Sequence, residues 1–271
     1  MFKKFWNLTK KRIPCFMLVY QNYEIICRSI EAMMNFRDQI ELFIIENPSD
    51  ESIRIRERLD YYMRMGLVSK CFLFDENISN NAFEVILRKE LNYSKYEYVL
   101  VTDGDLLPMD DDWVNEERQI LRKNPEVFCI GGDLDMGNLP LNTFPDANDW
   151  KPLSKADHGD YMEAFTGAYF LMFRSSQLQS LIEYLKKHNL RFRDGVIASY
   201  CNEQVGLRWG RTKKSRFIHL TWDLYRDTNH PYTKFKREIP FSTHWNHDRY
   251  AGYTVRHFRC GCFKDCHQSL V

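Results

Sequence analysis

Residues 97–108 read EYVLVTDGDLLP, and this stretch decides the fold. Tyr98 to Thr102 is apolar or β-branched without polar alternation, which predicts a strand buried on both faces. Asp103 and Asp105 then stand at i and i+2 around Gly104. Two acids around one glycine let the chain turn while a carboxylate reaches a hard divalent cation. Mg²⁺ and Mn²⁺ take carboxylate, phosphate and water ligands, so such a cation would bridge phosphate oxygens. An acidic turn capping the next helix explains the same residues, so the pair gains its weight from what surrounds it.

Upstream, short apolar runs alternate with amphipathic ones. Ile13–Tyr20 (IPCFMLVY) reads as a buried strand, and Tyr23–Phe36 as a helix with Ile26, Ile30 and Met33 or Met34 on one face. Glu41–Asn47 (ELFIIEN) is a second strand, closed by the turn formers Asn47-Pro48-Ser49-Asp50. Asp50–Arg64 returns to helix, Lys70–Phe74 to strand and Asn81–Leu91 to helix. This alternation predicts an α/β fold with a mainly parallel sheet flanked by helices. In such sheets ligands bind outside the carboxyl ends of the strands, where Asp103 and Asp105 fall.

Downstream the pattern is less regular. Phe128–Gly131, Ala164–Arg174 and Ser215–Leu220 read as strands and Gln177–Lys187 as a helix. Residues 137–160, rich in Pro, Asn and Asp, read as a long loop. From about Tyr225 the composition turns to His, Arg and aromatic residues without clear periodicity. The expected organisation is a basic leader over 1–12, one α/β domain over 13–225 divided near residue 110, and an irregular C-terminal extension over 226–271.

Composition narrows the function. Thirty-eight Lys and Arg against 37 Asp and Glu exclude a uniformly basic coat for nucleic acid. The longest apolar run, Ile13–Tyr20, is far short of the ~20 residues that span a bilayer. The eight cysteines lie in a chain of ordinary core size whose start lacks the apolar region of a secretory signal, so a reducing, cytoplasmic setting is expected. The leader MFKKFWNLTKKR reads either as a solvated segment or as a peripheral contact with an anionic membrane through Phe2, Phe5 and Trp6. Cys260, Cys262, Cys266 and His267 include four zinc-type donors, but the spacing lacks paired CxxC knuckles, and unrelated thiols are the preferred reading. His244, His247 and Asp248 read as a polar loop or a further site.

The order of IPCFMLVYQNYE, FIIENPSDES, FLFDENISNNAFEVIL and YVLVTDGDLLP resembles the nucleotide-sugar-binding half of GT-A-fold glycosyltransferases, especially the family 2 type. The resemblance continues through EAFTGAYFLMFR, NEQVGLRWG and RFIHLTWDLY, covering roughly Ile13 to Tyr225. It implies a metal-dependent transfer of a sugar from a UDP- or GDP-linked donor to a glycan or lipid-linked glycan. Val19, Tyr20, Glu46 and Asn47 would cradle the nucleoside, with Asp75, Asn81, Asp103 and Gly104 completing the nucleotide site. A turn after a strand explains Asn47-Pro48 equally well. The resemblance makes His219, at the end of a late strand, the partner of Asp103 and Asp105 on Mn²⁺ or Mg²⁺. It also implies an inverting carboxylate base, Glu203 first and Asp194 as its competitor. Glu163, Thr166, Gly167, Ala168, Trp222 and Asp223 would face the acceptor.

Three alternatives stay open: retaining chemistry, a nucleotidyltransferase, and a carbohydrate-binding domain without activity. VYQNYE lacks the Gly-rich phosphate loop that usually marks the second.

Overall fold

The computed structural model describes residues 12–238 and 250–269. The basic leader through Lys11 and the group His244, His247 and Asp248 lie outside the described residues.

In chain order the first half comprises β1 (Ile13–Val19), α1 (Tyr23–Met34), β2 (Ile40–Glu46), α2 (Ser52–Arg64), β3 (Lys70–Phe74), α3 (Asn81–Lys89) and β4 (Tyr98–Asp103). Then come β5 (Leu106–Pro108), α4 (Trp113–Lys123), β6 (Val127–Leu134), β7 (Leu153–Asp157), β8 (Met162–Phe165) and β9 (Phe170–Arg174). The remainder is α5 (Ser175–His188), α6 (Asp194–Ser199), β10 (Arg208–His219), α7 (Thr221–Tyr225), α8 (Pro231–Glu238), β11 (Tyr253–Arg259) and β12 (Cys262–Gln268).

All twelve strands join one sheet in the order β12-β11-β3-β2-β1-β4-β9-β6-β10-β8-β7, with β5 on β10. Strands β3, β2, β1 and β4 run parallel, as the unbroken apolar runs predict. Every residue of β1 is buried. Among the described residues beyond this unit, only β6 and β10 pair in parallel. The hairpins β7–β8 and β11–β12 are antiparallel, and β9 runs opposite to both its neighbours. The sheet is therefore mixed where a mainly parallel one was expected: the two hairpins have short turns that can join only antiparallel strands, and β9 and β11 add antiparallel pairings through long connections. One apolar cluster packs α1, α2 and α4 on one face; another packs α3 and α5 on the other.

Three irregular readings resolve into structure. Residues 137–160 contain a 3₁₀ turn, Pro145–Trp150, and edge strand β7. The run Ala164–Arg174 splits into β8 and β9 because Gly167, at φ +83°, bends the chain between them. The C-terminal segment supplies α8 and a hairpin that pairs β11 with β3, so its described part extends the sheet. Among the described residues no helix is long and apolar enough to cross a membrane.

Candidate active site

Four parallel strands end on one side of the sheet, and their loops build the site. After β1, Gln21 and Asn22 adopt consecutive left-handed conformations, at φ 56° and 59°. For residues other than glycine this costs of order 1–3 kcal/mol each and tends to gather at functional sites. After β4, Gly104 lies flat on β1: a Cβ there would stand 2.7 Å from Val19 Cγ1 and 2.9 Å from the Leu18 carbonyl oxygen. Only glycine lets the Asp103-Gly104-Asp105 turn approach the sheet this closely.

The register of β5 against β10 brings in the late histidine. His219 pairs with Leu106, and the Leu220 N–H donates to the Asp105 carbonyl at 2.8 Å. His219 Nδ1 thereby sits 3.3 Å from Asp105 Oδ2. Trp222 stacks on the imidazole, with centroids 4.8 Å apart and planes 4° from parallel. Thr221 Oγ1 donates to Asp105 Oδ2. Among the described residues, Asp105 Oδ1 and His219 Nδ1 are buried without a hydrogen-bond partner. Burial lowers the His219 pKa against the pull of Asp105.

Two cavities meet at this turn. One, of about 190 Å³, is lined by Tyr20, Gln21, Asn22, Asn47 and the Asn77–Asn80 loop. The other, of about 510 Å³, is lined by Trp150, Thr166, Gly167, Ala168, Asp194 and Trp222, among others. Asn80, Asp103, Asp105, Tyr232 and Lys236 line both. Burial pushes the Asp103 carboxyl well above the usual carboxylate range, helped by Asp105 and Asp194 and opposed by Lys236. Burial likewise raises Asp194, opposed by the Ala168 N–H that donates to it at 3.0 Å.

The structure gathers part of the expected set. Tyr20, Asn47 and Gly104 line the smaller cavity, while Thr166, Gly167, Ala168, Trp222 and Asp194 line the larger. Asn47 also spans backbone, its amide donating to the Ser79 carbonyl and accepting from the Ile78 N–H. Val19 lies beneath Gly104 as packing.

Six expectations meet a different geometry. Glu46 is fully buried and held by Arg56 at 2.7 and 3.0 Å and by Ser52 at 2.6 Å, so its carboxylate is committed to α2. Glu203 is exposed and accepts from Ser199 Oγ at 2.7 Å, away from both cavities. Glu163 turns to His158 and Arg208, at 3.1 and 3.5 Å. Asp75 faces His267 of the hairpin at 3.7 Å. Asp223 is exposed, and Asn81 is buried in the first turn of α3, where neighbouring Asn80 reaches the cavities instead.

The metal reading is also narrowed. Among the described residues no three His, Cys, Asp or Glu side chains form a ready metal cluster. Asp105 Oδ1 and His219 Nδ1, buried without hydrogen-bond partners, nevertheless fit a divalent cation, being a hard oxygen and an imidazole nitrogen. Cys262 and Cys266 alternate with Phe263 and His267 along β12, so Cys266 and His267 point to opposite faces and no zinc cluster forms there. Lys236, Tyr232 and Trp150 escaped the sequence reading. Pro231 opening an amphipathic PYTKFKRE run was the available signal for α8.

No protein-family model matches the chain. Three uncharacterized proteins of Acanthamoeba polyphaga mimivirus are related to it. L142 is 37% identical over 84% of this chain, L137 37% over 83%, and L138 35% over 91%. The chain spans 48%, 31% and 28% of their respective lengths, half or less of each relative. Among solved structures it is similar to the mannosyltransferase PcManGT from Pyrobaculum calidifontis, in complex with GDP-Man and Mn²⁺. The TM-score is 0.52 at 15% identity, over 84% of this chain and 62% of that one. It is also similar to GalNAc-T7 with UDP, GalNAc and Mn²⁺, with a TM-score of 0.55 at 12% identity over 77% and 43%. The chain has the GT-A fold. In GT-A terms, the parallel unit β3-β2-β1-β4 carries the smaller cavity, and the strands after β5 carry the wall of the larger one.

Proposed function

We propose that the protein is a glycosyltransferase that moves a sugar from a nucleoside-diphosphate donor to a glycan or lipid-linked glycan. One observation carries this reading: two cavities join at an acidic turn beside a buried histidine whose Nδ1 lacks a hydrogen-bond partner. The nucleoside would occupy the smaller cavity against Tyr20, whose ring offers a stacking face. The aromatic walls of the larger cavity, Trp150 and Trp222, suit the apolar face of a sugar ring.

Asp105 and His219 would hold Mn²⁺ or Mg²⁺, with Asp103 beside them facing the ribose or a bound water. When bound, the cation supplies positive charge that stabilises the departing diphosphate. Asp194 is the proposed base of an inverting transfer. It lines the acceptor cavity, one oxygen is fixed by the Ala168 N–H, and its raised pKa suits a group that must take a hydroxyl proton near neutral pH. Gly167, at φ +83°, lets the backbone pass close to this carboxylate, since a Cβ there would stand 3.3 Å from Asp194 Oδ2. The wider activity of any longer protein containing this chain belongs to the same proposal.

The test is a thermal-shift series with UDP, GDP and their sugar conjugates, with and without Mn²⁺, followed by product analysis on glycan acceptors. A native-state ligand raises stability by mass action, so the donor should give a Mn²⁺-dependent shift that Asp105→Ala abolishes. Inversion would appear by NMR as a product anomer opposite to that of the donor. No shift with any diphosphate, in either metal condition, would refute the reading.

A further inference from the structure

Lys236 belongs to α8, outside the segment that resembles glycosyltransferases, yet it lines both cavities at their junction. Its surroundings are acidic: Asp103 and Asp105 line the same junction. This is not a surface lysine that happens to lean inward. Helix α8 is tied to α7 by Thr233 Oγ1, which is buried and donates to the Leu224 carbonyl at 2.8 Å. Tyr232, one turn before Lys236, stacks on Tyr225 with centroids 6.0 Å apart and planes 13° from parallel. Fixing Tyr232 and Thr233 fixes the direction from which Lys236 enters the site.

The junction is where the linking group of a two-part ligand must pass. A ligand with its base in the smaller cavity and its sugar in the larger one leaves its diphosphate between them. Among the described residues that line both cavities are two acids, Asp103 and Asp105, which repel phosphate, and one lysine, Lys236, which attracts it. A Lys side chain offers three donors on a flexible stem, so it can turn to a phosphate oxygen without moving its helix. We propose that Lys236 binds the diphosphate of the donor and of the nucleoside diphosphate product, making α8 part of the donor site. This rests on the donor-class reading above. It assigns a charge-neutralising contact to a residue of the C-terminal segment.

The opposing account is that Lys236 only balances Asp103 and Asp105. Titration calorimetry on the full chain at saturating Mn²⁺ separates the two, using UDP and GDP against uridine and guanosine. Charged hydrogen bonds are worth enough that Lys236→Met should weaken the preferred diphosphate by ~10- to 100-fold. Affinity for the matching nucleoside should stay unchanged, and Lys236→Arg should retain most of the diphosphate affinity. If Lys236→Met fails to fold, Lys236→Gln provides the same comparison. Equal diphosphate affinity in the neutral variant would overturn the proposal. So would an equal loss for nucleoside and diphosphate, which would mean that the cavity itself had changed. A wild-type chain that binds neither diphosphate would overturn the donor-class reading and this inference with it, an outcome distinct from the other two.

Discussion

Gly104→Ala perturbs the site through one methyl group. The added carbon would meet Val19 Cγ1 at 2.7 Å and the Leu18 carbonyl oxygen at 2.9 Å, against ordinary contacts that begin at 3.4 Å. The shortfall is therefore about 0.5 to 0.7 Å. Val19 is β-branched, so its side chain has few other rotamers. Leu18 lies in a strand paired on both sides, and its carbonyl cannot retreat. The acidic turn must move instead. Overpacking of this size costs ~1–3 kcal/mol. Misplacement approaching 1 Å near reacting groups costs up to ~10²-fold in rate. We expect Gly104→Ala to lose ~1–3 kcal/mol in urea unfolding and ~10- to 100-fold in kcat/KM, with the metal-dependent donor shift weakened. Val19→Ala combined with Gly104→Ala should recover only part, since the Leu18 oxygen remains. A Gly104→Ala protein with wild-type stability and rate would refute the claim that this glycine holds the turn against β1.

His219→Gln should raise the Mn²⁺ concentration needed for half-maximal transfer, and an unchanged requirement would remove His219 from the metal site. Asp194→Asn should lower kcat by ~10²–10⁴ with donor affinity nearly constant, whereas Glu203→Gln should stay within about twofold; the reverse ranking would return the base to the exposed glutamate. Glu46→Ala should destabilise the protein by ~3 kcal/mol or less, because Arg56 loses a buried partner but is itself 34% exposed and can hydrate. Nucleotide affinity, measured well below the melting temperature, should then be unchanged; a loss of affinity at wild-type stability would make Glu46 a base-contacting residue after all.

The parallel unit was legible because continuous apolar runs leave a buried strand few alternatives, and the acidic turn because it follows the last of them. His219 was legible as a strand-end residue. Its contact with Asp105 was not, since that depends on β5 pairing with β10 at Leu106. Most of β10 escaped detection. Its centre is polar at Lys213 and Lys214, and a register irregularity between Arg211 and Arg216 breaks the alternation. Glu46 shows the limit from the other side: a carboxylate after a strand looks available until an arginine ten residues on, one turn into the next helix, claims it. The C-terminal hairpin was not read. Tyr253 and Val255 alternate as buried residues on β11, but β12 is an edge strand without a buried face. Its turn, Cys260-Gly261, has positive φ at both positions, and only the glycine advertises it.

Charge at the junction leads to one more expectation. Among the described residues that line both cavities, Asp103 and Asp105 stand with Lys236, and burial lowers the pKa of His219 beside them. Burial is the main cause of the upward push on Asp103; Asp105 and Asp194 add to it and Lys236 opposes it. A nucleoside diphosphate brings more of the same sign into a partly desolvated site. Lys236 can offset part of that, and a dication must offset the rest. Metal and nucleotide should therefore assist each other, and binding linkage makes the assistance reciprocal. Titrations of UDP or GDP at zero and saturating Mn²⁺, and of Mn²⁺ with and without the nucleotide, should yield the same coupling factor, of at least ~10. Removing one carboxylate by Asp103→Asn should shrink that factor, because less negative charge awaits the cation. Independent binding of the two ligands, with a factor near one, would mean that the diphosphate does not lie across the acidic turn.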